Sequence, residues 1–75
     1  MTEPAALPPK VRIVILNYNG GAYVLRSVEA ALATRWRADR LEVVVIDNAS
    51  SDGSAEAIAR RFPVVDLRRR ADNGG

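Results

Sequence analysis

Two short polar clusters hold the residue types of this 75-residue chain that could do chemistry. The first is residues 17–21 (NYNGG), directly after the apolar run 11–16 (VRIVIL). The second is residues 47–53 (DNASSDG), directly after the apolar run 41–46 (LEVVVI). Amides, a carboxylate and hydroxyls offer hydrogen-bond donors and acceptors, and a tyrosine ring offers a stacking face. These are groups that can bind the base and ribose of a nucleotide.

The composition excludes several other kinds of chemistry. The chain has no cysteine and no histidine, so thiolate nucleophiles, disulfides and histidine-based proton transfer are excluded. Eleven basic and nine acidic residues give a formal net charge of +2, which is too small to argue for nucleic acid as a partner. No apolar run approaches the ~18 residues of a membrane span. The proline-rich residues 1–10 lack the apolar core of a signal peptide, so we expect a disordered lead-in and a cytoplasmic protein.

Hydrophobic patterns predict the elements that position the two clusters. Short β-branched apolar runs are typical of strands covered on both faces of a parallel sheet, and apolar residues at helical spacing indicate amphipathic helices. The predicted elements are strands at residues 11–16, 41–46 and 64–67 and helices at residues 23–35 and 54–62.

The order β-α-β-α-β predicts an α/β fold with a three-stranded parallel sheet. Right-handed crossovers make the strands parallel and place both helices on one face of the sheet. Ligands of open α/β sheets bind outside the carboxyl ends of the strands. Because both polar clusters follow strand carboxyl ends, we expect them to lie on one rim.

Neither of two common phosphate-binding motifs is present. A G-x-G-x-x-G fingerprint fails because Gly20 and Gly21 are adjacent. A P-loop needs a lysine next to serine or threonine, but the only lysine, Lys10, precedes the first strand.

Residue type and spacing leave two roles open for several of the polar residues. Asp47 can accept hydrogen bonds from a ribose or a base, or it can cap its own loop by accepting from backbone amides. Tyr18 can stack on a nucleobase or pack on the first helix. Asp52 is expected to be the N-cap of the second helix, and residues 68–70 (RRR) form either a phosphate contact or a solvated strand end.

Three segments taken together carry a resemblance to a known family: VRIVILNYNG, VVIDNASSDGSAEAI and a final N-G-G. In these segments the chain resembles the N-terminal nucleotide-sugar-binding region of family 2 glycosyltransferases. Those enzymes have the inverting GT-A fold, and the Asn-Tyr-Asn and Asp-Asn-Ala-Ser-Ser-Asp-Gly-Ser pair is most similar to a rhamnosyltransferase-like branch. The resemblance covers residues 11–75. It implies the N-terminal half of a Rossmann-like nucleotide-diphospho-sugar transferase domain, truncated at its C-terminus.

The resemblance also implies a site for the donor nucleotide. In it, Asp47 accepts a hydrogen bond from the pyrimidine base or its ribose. Leu16 and Asn17 stand where many members have Pro-Thr or Pro-Val, so UDP-sugars and dTDP-sugars both remain possible donors. The residues that match the family's donor-binding positions are Asn17, Tyr18, Asn19, Asp47, Asn48, Ser50 and Asn73.

The activity implied is transfer of a sugar from a nucleotide-diphospho-sugar to an acceptor hydroxyl, for cell-envelope polysaccharide synthesis at the cytoplasmic face of the membrane. The family's Asp-x-Asp motif, which holds Mg²⁺ or Mn²⁺, and its general base have no match in this sequence. We therefore expect this piece to carry no cofactor and no catalytic residue, and to be inactive alone.

Two other function classes are alternatives, of which only the first fits the same residues. One is a non-catalytic nucleotide-binding module, or a subunit completed by a partner chain. The other, a phosphoacceptor-type regulator, needs an acidic pair after the first strand, where this chain has the amides Asn17 and Asn19. If the strand order follows the family's 3-2-1-4, the VRIVIL strand becomes an unpaired edge, and we expect self-association through it.

Overall fold

The computed structural model describes residues 8–71. Strands and helices alternate in the predicted β-α-β-α-β order, with one additional turn of 3-10 helix (Ala38–Arg40) before the second strand. The elements are β1 (Val11–Asn17), α1 (Gly21–Leu32), β2 (Leu41–Asn48), α2 (Ser54–Arg61) and β3 (Asp66–Arg70). Most of the predicted lead-in and the candidate site residue Asn73 lie outside the described residues.

The three strands form one parallel sheet with β2 in the centre, in the order β1-β2-β3. The register pairs Val11 with Leu41 at one end of β1 and Asn17 with Asp47 at the other. The first residues of the two polar clusters are therefore neighbours across adjacent strands. This confirms the predicted three-stranded parallel sheet and places both clusters on one rim.

Both helices pack on the same face of this sheet. Side chains of β1, β2 and β3 alternate between the two faces, and those on the helix side form the core with one stripe from each helix. In a chain of this size each buried side chain matters, because only about 60% of the unfolded chain's surface becomes buried. The core residues are Val24, Val28, Ala31, Val43, Val45, Ile58 and Val65.

The other face of the sheet is open over β1. Val14 and Leu16 alternate with the core residues of that strand and are 49% and 76% exposed. Val44, on the same face of the central strand, is only 1% exposed. Within residues 8–71, β1 pairs with β2 alone, so its other edge carries unpaired backbone groups.

Several element boundaries differ from the sequence-based prediction. The third strand is Asp66–Arg70, not residues 64–67, because Val64 lies in the turn after α2, where it is 79% exposed. The first helix begins at Gly21 and ends at Leu32, and the strands β1 and β2 continue into their polar clusters. Neither helix in the described part of the chain is long and apolar enough to cross a membrane.

Replacing Ile58 with alanine should lower the free energy of unfolding by about 2–5 kcal/mol, because this α2 side chain is 0% exposed in the core. Val64→Ala, at a position that is 79% exposed, should change it by less than ~0.5 kcal/mol. Urea unfolding followed by circular dichroism measures both. If Ile58→Ala does not fold, Ile58→Val should cost about 0.5–1.5 kcal/mol. Equal effects at the two positions would contradict the helix packing described above.

Candidate functional site

The rim of the sheet is built around two polar side chains buried on the helix side. Asn17 ends β1 and is 2% exposed, and its register partner Asp47 on β2 is 0% exposed. Buried polar groups of this kind are costly unless they are hydrogen-bonded. Their hydrogen bonds therefore determine how the two loops above the sheet are arranged.

The side-chain amide of Asn17 links four parts of the chain. Its Nδ2 donates to Asp47 Oδ1 at 2.8 Å and to Ser54 Oγ at 2.9 Å, with Ser50 Oγ at 3.2 Å. Two N–H bonds are shared among these three acceptors. Its Oδ1 accepts the N–H of Gly20 at 3.0 Å. Asn17 thereby ties β1 to β2, to the loop after β2 and to both helix starts.

Asp47 is held on both of its carboxylate oxygens. Oδ1 accepts from Asn17, and Oδ2 accepts the backbone N–H of Ser50 at 3.1 Å. This is the loop-capping role that spacing left open for Asp47. Contact between Asp47 and a ligand stays a prediction, and the side chain is wholly buried as the loop now stands.

A second layer of hydrogen bonds joins the two polar loops directly. The backbone N–H of Asn19 donates to Ser50 Oγ at 2.8 Å, and Asn19 Oδ1 accepts the N–H of Ser51 at 2.8 Å. Asn19 and Ala49 have positive φ angles, 51° and 60°, in the left-handed region that asparagine tolerates better than most residues. The two loops therefore form one preorganised surface.

Asp52 joins the starts of the two helices. Its carboxylate accepts the backbone N–H of Gly21 at 3.0 Å and that of Ser54 at 2.9 Å, together with the Ser54 hydroxyl. The hydroxyl hydrogen bond is the main reason that the pKa of Asp52 lies below its ordinary value. The prediction that Asp52 is the N-cap of α2 is wrong, because the N-cap is the next residue, Gly53, with φ 84°. A charge at this place still favours both helix N-termini.

Sequence reasoning missed the structural roles of Gly20 and Ser54. A Cβ at Gly20 would lie 2.5 Å from Asn17 Oδ1 and 2.8 Å from Val24 Cβ, so only glycine leaves room for the Asn17 amide. Ser54 is 3% exposed and takes part in the Asn17 network. Two adjacent glycines at a strand end and a serine opening a helix are weak signals, because many turns contain both.

The predicted site residues now fall into separate groups. Asn17 and Asp47 lie beneath the rim, and Asn19 and Ser50 hold its loops together. Tyr18 projects at the surface and is 56% exposed. The remaining predicted residues are Asn48, which ends β2 and is partly buried, and Asn73, outside the described range.

The metal ion that the resemblance implies has no ligand set in this part of the chain. Across residues 8–71, no three His, Cys, Asp or Glu side chains are grouped so that they could hold an ion. Asp47 and Asp52, the acids of the rim, are engaged by hydrogen bonds from neighbouring groups. No step of the chemistry can be assigned to a metal held by these residues.

A parallel sheet with helices on one face and a polar rim at the strand carboxyl ends is the architecture of a Rossmann-like α/β domain, consistent with the N-terminal half of a GT-A fold. The model of the family described as "Glycosyl transferase family 2" matches residues 12–75. The chain belongs to that family.

A relative from Rickettsia bellii (strain RML369-C) supports the same assignment. This protein, named "Uncharacterized glycosyltransferase", is 35% identical over 68 residues. The alignment covers 89% of the present chain and 10% of the Rickettsia protein. The present chain thus matches a small part of a much longer glycosyltransferase.

Replacing Asn17 with aspartate should destabilise the fold more at pH 7 than at pH 5. The new carboxylate still accepts the N–H of Gly20. Its second oxygen, however, replaces the Asn17 Nδ2 donor, which lies 2.8 Å from Asp47 Oδ1. When two carboxylates are this close, the pKa of one of them rises. If folding raises the pKa of a carboxyl group, the folded state is destabilised at pH values above the pKa of that group in the unfolded chain. The loss of stability shrinks as the pH falls through the raised pKa of the folded state. Thermal melts at both pH values, each compared with the wild type, measure the difference.

Asn19→Asp is the matched control for this prediction. Asn19 lies two residues further along the same loop, and aspartate keeps the acceptor for the Ser51 N–H. We expect its effect to stay within ~0.5 kcal/mol, as for most surface changes. An Asn17→Asp protein as stable as the wild type at pH 7 would contradict the role assigned to the Asn17 amide.

Proposed function

We propose that this chain is the donor-nucleotide-binding part of an inverting glycosyltransferase that moves a sugar from a UDP-sugar or dTDP-sugar to an acceptor hydroxyl. The observation that carries the proposal is the cross-linked polar rim at the carboxyl ends of β1 and β2. Family membership supports glycosyl transfer in general. The motif resemblance supports the pyrimidine nucleotide.

Preorganisation is what the rim contributes to binding. Loops already fixed by hydrogen bonds lose little conformational entropy when a ligand binds, so more of the interaction energy appears as affinity. Asn17 and Asp47 provide this rigidity from below. Tyr18 supplies an exposed ring on which a base can stack, with the amide of Asn48 at the end of the adjacent strand.

Transfer itself needs groups beyond those of the rim. Deprotonation of the acceptor hydroxyl needs a positioned base, and a divalent metal, Mg²⁺ or Mn²⁺ by family resemblance, would stabilise the leaving diphosphate. The described residues offer the donor site without a metal ligand set. For the chain alone we therefore propose nucleotide binding without turnover.

The finer assignments rest on the motif resemblance. The Asn-Tyr-Asn loop followed by DNASSDGS supports a rhamnosyltransferase-like branch of the family. Synthesis of cell-envelope polysaccharide in the cytoplasm, at the inner face of the membrane, is the role proposed for the whole protein on the same basis.

Titration of the 75-residue chain with UDP and dTDP, followed by two-dimensional amide NMR, tests donor binding. We expect shift changes concentrated at residues 17–21 and 47–53, and weaker changes with ADP or GDP. Tyr18→Ala should weaken UDP binding about tenfold, because stacking on an aromatic ring contributes about 1–3 kcal/mol per base.

Tyr23→Ala is the matched control for Tyr18→Ala. Tyr23 is 77% exposed on the first turn of α1, where the Arg26 guanidinium lies 5.0 Å from its ring centre. Its removal should leave UDP affinity unchanged. Absence of any shift change at the two loops with either nucleotide would contradict the proposed function.

We also propose that the free edge of β1 pairs with β1 of a second copy. An unpaired strand edge is a template for pairing. Val14 and Leu16 add exposed apolar surface beside this edge. Antiparallel pairing would align the two strands about Val14 and extend the sheet across both copies.

Sedimentation velocity tests this pairing, with wild-type association expected to rise with protein concentration. Val14→Lys should shift the chain towards monomer, because a lysine on an edge strand opposes pairing. Val64→Lys, at an exposed position in the turn before β3, should associate as the wild type does. A wild-type chain that stays monomeric at all concentrations would overturn the proposal.

A further inference from the structure

Asn48 and Arg70 lie at the rim on the sheet face away from the helices. Together with Tyr18, which is exposed just past the end of β1, we call them the open-face row. Asn48 and Arg70 are register partners on β2 and β3, so their side chains leave the sheet on the same side. Asn17 is buried toward the helices, whereas Tyr18, just past the end of β1, is 56% exposed. The row therefore crosses the ends of all three strands.

The neighbours of Arg70 confirm its direction. Leu67 packs against the core, and Arg69 reaches α2, where its guanidinium contacts Glu56 at 2.9 Å. Both residues thus face the helices. Arg70, next along the strand after Arg69, faces the opposite side, beside Asn48.

Arg70 also differs from the two arginines before it in its contacts. Arg68 forms an ion pair with Asp66 at 2.9 Å, and Arg69 forms one with Glu56. No acidic partner of Arg70 lies among residues 8–71, where the ion pairs are those of four other arginines. The guanidinium of Arg70, a planar group with five donors, belongs to an exposed residue in register with Asn48 on the adjacent strand.

We propose that Arg70 contacts the nucleobase of the donor and donates hydrogen bonds to a pyrimidine carbonyl oxygen. The inference rests on the proposed function and adds a residue to that site. Adjacent strands are about 4.8 Å apart, so a flat heterocycle placed against Tyr18 and Asn48 lies within reach of a long side chain on β3. A uracil or thymine ring presents carbonyl acceptors at its edge, which suit a donor-only guanidinium.

Arg70 could instead contact a phosphate of the same ligand. Comparing two ligands, uridine and UDP, distinguishes a base contact from a phosphate contact. Uridine has the base without a phosphate, whereas UDP has both. A base contact contributes equally to the binding of each. A phosphate contact contributes to UDP alone.

Affinities of the 75-residue chain for uridine and UDP, measured by NMR titration, test the proposal. Arg70→Ala should weaken both by a similar factor, about tenfold for the loss of a hydrogen bond to a charged group. Arg70→Lys should weaken both as well, because lysine keeps the charge but lacks the planar fork. Arg68→Ala is the matched control and should leave both affinities unchanged. Circular dichroism melts verify that each variant folds.

Four results would overturn the inference. If Arg70→Ala loses affinity for UDP but keeps its affinity for uridine, Arg70 contacts a phosphate. Unchanged affinities in Arg70→Ala would remove the residue from the site while leaving the proposed function intact. Equal losses in Arg68→Ala would indicate a general effect of charge. A wild-type chain that binds neither ligand would contradict the proposed function itself, which distinguishes that failure from the others.

Discussion

The hydrogen bond between the Asn17 amide and the Asp47 carboxylate is the contact on which the rest of the rim depends. It joins the ends of two adjacent parallel strands at a depth where water is excluded. An unsatisfied polar group there would cost about 1–3 kcal/mol. Ser50, Ser54 and Gly20 complete the network, so the loops above the sheet follow from this one pairing.

The same arrangement explains how a small domain keeps a preorganised polar surface at its rim. A buried polar network is favourable only when its members are satisfied, and it then specifies one conformation. Here Asp52 extends the network to the first turns of both helices. The groups beneath the surface provide rigidity, and Tyr18 above them remains exposed for contact.

Membership of glycosyltransferase family 2 relates this polar rim to enzymes that use nucleotide-sugar donors. Binding of a nucleotide-sugar separates naturally into recognition of the nucleoside and stabilisation of the departing diphosphate. The first task is the one proposed for this chain. In that proposal the open-face row extends the binding surface to β3. Within residues 8–71, the free edge of β1 leaves the sheet able to accept another strand.

The sequence by itself determined the order of elements, the parallel sheet and the shared rim. β-branched runs, helical spacing and short connections leave few other topologies. Strand ends were less predictable, because pairing with β2 draws the charged residues 68–70 into β3 and leaves Val64 in a turn. The family motif identified the residues of the rim without their individual roles.

Only the tertiary structure decided which of those residues lie beneath the surface and which lie on it. Asn17 and Tyr18 are adjacent in sequence, yet the first is 2% exposed at the end of β1 and the second is 56% exposed just past it. Asp47 has both oxygens engaged by groups brought together from two loops. Such roles depend on side-chain direction and long-range contacts, which residue type and spacing along the chain do not encode.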